Sequence, residues 1–92
     1  MFDKLMEDPE FRREYLQEAA ILDVTEMVHF LMKQENITRN DLRHRLNWSK
    51  KSIREFLDST ADDPLDVRDV SDVFAALGYR FKAAYEKIAE GT

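Results

Sequence analysis

The 92-residue chain has no cysteine, two glycines, two prolines and one tryptophan, and each shortage excludes something. Without cysteine there is no disulfide framework and no thiolate zinc site, so packing alone must hold the fold, which suits a reducing, cytoplasmic setting. Apolar runs reach four or five residues at most, far below the roughly 18 that would suggest a membrane span. The opening segment carries Asp3, Glu7, Asp8 and Glu10 with no basic flank leading into an apolar stretch, so neither a signal nor a transit peptide is expected. No Gly-rich phosphate loop or nucleophile elbow occurs. At this length one domain is expected, without a separate catalytic unit; the chain reads as a non-enzyme without a cofactor.

What is present is helical periodicity. With so few Gly and Pro, and with apolar residues recurring at intervals of three and four, the fold class is all-α, with about five helices. The first is expected from Asp8, with Pro9 at its first position, to about Ala20, along the stripe Phe11, Tyr15, Ala19 and Leu22. A second is expected from Asp23 on the stripe Val24, Met27, Val28, Leu31 and Met32. No strong breaker separates the two, which leaves open whether they form one bent helix. Thr38 opens a third as N-cap, with Asp41 three residues on as a capping-box variant, and Leu42 and Leu46 as its buried pair. Asn47, tolerant of the left-handed conformation, ends it. Ser49 caps a fourth helix with Ile53, Phe56 and Leu57. After a polar loop over 59–64, a fifth starts near Asp66 with Val67, Val70, Val73, Phe74 and Leu77 inward and Gly78 just past its end. The tail from Tyr79 fits a strand or a helix equally.

A net charge of −5 argues at first against a nucleic-acid partner, because phosphate attraction needs a cationic face. By segment the picture changes. Residues 1–36 hold four basic and nine acidic side chains, and residues 58–92 hold four and eight. Between them, 37–57 hold Arg39, Arg43, Arg45, Lys50, Lys51 and Arg54 against Asp41 and Glu55, a local +4. Charges beyond a Debye length of roughly 8–10 Å are screened, so such a patch can act on phosphate despite acidic flanks.

Two short helices joined by only Asn47-Trp48-Ser49 can bury their inner faces by crossing at a large angle. The stretch from Thr38 to Leu57 resembles the helix-turn-helix of the lambda repressor/Cro-like (XRE) family: a polar cap, a short helix, a turn residue before an apolar residue and a Ser, and Ile53 midway along the second helix. The segment Val67 to Tyr79, with its Ala-Leu-Gly ending, looks like the family's next helix, and the resemblance covers about residues 23–80. Arg43 stands where the family usually has Ala, and Asn47 where it has Gly. The stem of Arg43 is expected to lie along the helix pair with its guanidinium in water.

The resemblance implies a lambda-repressor-like domain over 23–80, an N-terminal helical extension over 1–22 and a tail over 81–92. It implies sequence-specific binding of double-stranded DNA, with helix 49–58 in the major groove. Lys50, Lys51, Ser52, Arg54 and Glu55 would then face the bases, Ser49 would present helix N-terminal amides to a phosphate, and Arg39 would reach the backbone. It further implies a homodimer on a palindromic operator, and a transcriptional regulator, most simply a repressor. The N-terminal Asp-Pro-Glu-Phe helix and the ending Ala-Leu-Gly-Tyr-Arg-Phe also look like small HigA-like antitoxins, which would add a basic toxin partner; a phage-type repressor is the equal alternative. A protein-interaction module with a degenerate helix-turn-helix is the competing class. Glu26 and His29 form an E-x-x-H pair without the further ligands a di-metal site needs, and Asn36-Ile37-Thr38 matches a glycosylation sequon that carries no weight without a secretory signal.

Overall fold

The computed structural model describes residues 2–60, 62 and 65–88; the expected loop residues Ala61, Asp63 and Pro64, and the tail end from Ala89, lie outside these. The fold is all-α. Its helices are α1 (Phe2–Glu7), α2 (Pro9–Gln34), α3 (Arg39–Leu46), α4 (Lys50–Leu57) and α5 (Val67–Ala76), with no strand among the described residues. None is long and apolar enough to cross a membrane.

The two N-terminal helices left open by the sequence are one. The Asp8 carboxylate accepts the Glu10 and Phe11 amides at 2.9 and 3.5 Å, with Pro9 behind it, and nothing between Ala19 and Val24 interrupts the ladder. The helix therefore runs 26 residues, roughly 39 Å at 1.5 Å per residue, straight through position 22. It stops where Asn36 turns left-handed (φ 56°), and the Ile37 amide donates back to the Met32 carbonyl at 2.8 Å. This drops Ile37 into the core. The short helix α1 was not foreseen; it packs on α2.

The core lies at one end of the molecule, whose extents are 47 × 23 × 21 Å. Val28 and Met32 of α2 meet Leu42 of α3, Ile53, Phe56 and Leu57 of α4, and Val70, Val73, Phe74 and Leu77 around α5. Helix α3 packs on both α4 and α5, and α5 on α2. Several expected core positions are corrected: Tyr15, Leu22, Met27 and Val67 are exposed, and Leu46 is only half-buried. Their spacing is helical, but periodicity does not fix how far a neighbouring element covers each position: Leu46 packs at the edge of the core, and Tyr15 and Leu22 border a cleft beside Ser59.

Helix α5 begins at the Asp66 side chain, which accepts the Arg68 amide at 2.7 Å, and ends with Gly78 at φ 91°. Beyond it the chain is neither strand nor helix. Phe81 packs on Phe74 with ring centroids 5.1 Å apart, the Gln34 amide donates to the Tyr79 hydroxyl at 3.3 Å, and the rest of the described tail lies exposed.

Candidate nucleic-acid interface

The site is built on local capping. The Thr38 hydroxyl accepts the Asp41 amide at 3.1 Å while the Asp41 carboxylate accepts the Thr38 amide at 3.0 Å, a reciprocal box that fixes the start of α3. The Thr38 amide, with the Thr38 hydroxyl second, holds the Asp41 carboxyl below its ordinary range. At the other end Asn47 adopts φ 58°, ψ 40°, and the Trp48 amide donates to the Arg43 carbonyl at 3.0 Å. Two residues later the Ser49 side chain accepts the Ser52 amide at 3.1 Å and opens α4. Three residues thus join α3 to α4, and Trp48 packs its ring edge-on to Phe56 at 5.9 Å.

Helix α4 buries Ile53, Phe56 and Leu57 on one side. At 100° per residue, this turns Lys50, Arg54, Lys51 and Glu55 outward in succession, and all four are exposed. Lys51 and Glu55 approach to 3.8 Å with side chains 74% and 52% exposed, a pairing worth only about 0.3–0.5 kcal/mol and easily given up to a ligand. Ser49 and Ser52 are exposed and hydrogen-bonded to each other at 3.0 Å. Arg39 lies exposed in the first turn of α3. All seven sequence-expected residues therefore lie on the surface of the α3–α4 pair.

Two of the six cations counted in this segment are engaged elsewhere. Arg45 reaches across to α5 and donates to the Ala76 carbonyl at 2.9 Å, complementing the end of that helix. Arg43 is half-buried, its guanidinium bound to the Asn40 side chain at 3.1 and 3.3 Å and lying 3.4 Å from His44 Nε2. The Arg43 side chain thus lies sideways along α3. Arg39, Lys50, Lys51 and Arg54 remain as the outward cations.

An open cleft of about 320 Å³ runs between α4 and the start of α5, lined by Trp48, Ser52, Glu55 and Phe56 and by Ser59, Leu65, Asp66 and Asp69. No local spacing announces it, because it forms only where α5 returns beside α4. The Arg68 guanidinium, then the Arg68 amide, hold the Asp66 carboxyl below its ordinary range; the Arg68 ion pair at 3.3 Å offsets that charge, and Glu55 and Asp69 in the lining leave the rim net anionic. Phosphate is thereby disfavoured on the Ser52 side of α4 and favoured on the Lys50–Arg54 side. No cluster of three or more potential metal ligands occurs among the described residues. No family model, curated protein or solved structure matches the chain.

Proposed function

We propose that the protein is a sequence-specific double-stranded-DNA-binding transcriptional regulator that inserts α4 into the major groove, acting as a repressor on a palindromic operator and working in the cytoplasm. One observation carries the reading: α4 is a short, independently capped helix that buries Ile53, Phe56 and Leu57 and turns Lys50, Lys51 and Arg54 outward. Lys and Arg donate to guanine O6 and N7, Glu55 can accept from cytosine N4, and Ser52 can serve either role. Arg39 supplies a backbone contact, and the first amides of α4 behind Ser49 face a phosphate. The anionic rim at Asp66 and Asp69 restricts the orientation in which a duplex approaches, which predicts modest non-specific affinity.

The test is a gel shift and a fluorescence-anisotropy titration against the DNA upstream of the protein's own gene. Affinity should fall with salt at a log–log slope of about −0.9 per neutralised phosphate. Lys51→Ala and Arg54→Ala should each weaken binding about ten-fold or more, by about 1–3 kcal/mol, with helix content unchanged. Retention of full affinity in both variants would remove α4 as the reader. Failure to bind any duplex at low salt would favour the protein-interaction module instead.

A further inference from the structure

Helix α2 has a side that stays exposed along its length among the described residues. Arg13, Leu16, Ala20, Asp23, Met27 and Phe30 follow one another at alternating intervals of three and four, the spacing of a coiled-coil seam. All six are exposed, Phe30 to 64%. Helical rotation puts Val28 and Thr25, the core-facing residues, on the other side of the cylinder. Ser59, just past α4, also lies against that other side, beside Ile21, Leu22 and Thr25, so the seam points away from α4. Pro9 and the tail residue Ile88 flank Leu16 and Ala20 in a shallow groove and extend its apolar floor.

The charges select the occupant. Arg13 and Asp23 sit within the seam and Arg12 and Glu26 beside it, and none of these four has an ion-pair partner among the described residues. A second α2 laid parallel would set Arg13 against Arg13 and Asp23 against Asp23. Laid antiparallel with its centre at residue 18, it sets Leu16 over Ala20 twice, Arg13 against Asp23 twice and Arg12 against Glu26 twice, with Met27 over Pro9 at either end. Sliding this pairing so that Leu16 faces Met27 sets each Asp23 carboxylate against Ala20 in the two central layers, away from any Arg, and leaves Arg13 on Phe30. We propose that α2 is a self-complementary dimer interface, and that a second copy of this chain docks antiparallel in the register centred on residue 18. The inference rests on α2 alone and is independent of DNA binding; it leaves α4 free on the opposite side.

Sedimentation equilibrium of the full chain without DNA, across the micromolar range, tests it. The native sequence should form a dimer. Arg12→Glu with Arg13→Glu, and separately Asp23→Arg with Glu26→Arg, should each weaken dimerisation by roughly 100-fold or more, because like charges then face each other. One variant now carries four acids along the seam and the other four bases, so an equimolar mixture should form a heterodimer. Met27→Glu, a change at one exposed side chain, should give the same loss by a second route, with circular dichroism confirming retained helix. A monomeric native chain, charge reversals that leave the dimer intact, or a mixture that stays monomeric would each overturn the proposal.

Discussion

The two halves of α2 belong to the same helix but to different environments. From Pro9 to Leu22 no residue is buried, whereas Thr25, Val28 and Met32 are buried within the next ten positions. Both halves carry apolar residues at helical intervals, so periodicity treats them alike. What differs is the opposing surface, since the buried core of α3, α4 and α5 meets only the later half, while the earlier half has α1 and the chain around Ser59 beside it without being buried. The earlier half is held instead by its composition: Glu, Gln, Arg, Leu and Ala are strong helix formers, and Asp8 and Pro9 fix its start. A helix can thus be secure in conformation while contributing little to the core, and its apolar residues then remain available to another surface.

The sharpest way to break that contrast is to delete the same side-chain volume on either side of it. Leu42 is fully buried where α3 meets the core, and Leu22 is 55% exposed. Leu42→Ala should cost about 2–5 kcal/mol through lost burial and a residual cavity, a large share of the roughly 5–15 kcal/mol that holds a domain folded. Leu22→Ala should stay within about 0.5 kcal/mol, because Ala regains helix propensity. Urea unfolding at constant m-value reads both. Equal midpoint shifts would mean that the earlier half of α2 is as tightly packed as the core that its later half joins.

A smaller effect probes the compact region itself, where the chain must reverse tightly. Gly78 has φ 91°, and a Cβ there would meet no atom within 4 Å. Gly78→Ala should therefore cost about 1–2 kcal/mol from backbone strain alone, a fall in Tm of roughly 4–8 °C per kcal/mol. Asn47→Gly should be close to neutral, since Asn47 already occupies φ 58° and Gly does so at no steric cost. An unchanged Tm in Gly78→Ala would show that the end of α5 can relax without it.

The legible part of the fold is the part with chemical punctuation. Thr38, Asn47, Ser49, Asp66 and Gly78 each occupy the cap that their side chain or lack of one suits, so α3, α4 and α5 could be placed from local chemistry. Between Ala19 and Val24 no residue marks a boundary, and a continuous helix could not be told from two. The site divides in the same way. Outward placement of Lys50, Lys51 and Arg54 follows from the spacing of Ile53, Phe56 and Leu57 within one helix. The loss of Arg45 to the Ala76 carbonyl, 31 residues away, and the anionic cleft rim formed by Asp66 and Asp69 are tertiary facts that no local pattern encodes.

The smallest expected effect concerns one such cap and depends on pH. The Asp41 carboxylate accepts the Thr38 amide at 3.0 Å and is held below its ordinary range by that bond first and by the Thr38 hydroxyl second, with Arg45 and His44 contributing attraction. A carboxyl whose folded pKa lies below its unfolded value of about 3.9 binds protons more weakly in the native state. Its contribution is therefore complete above about pH 4–5 and is lost as pH falls through the depressed folded value. Asp41→Asn should accordingly be less stable than the native chain at neutral pH, and the two stability curves should converge in acid. The Asp66 carboxyl, lowered by Arg68 at the start of α5, should keep part of the acid limb in that variant. Thermal melts from neutral pH down to about pH 3 read the difference. A gap between the two curves that persists unchanged to the acid end would mean that the cap acts through its geometry rather than its charge.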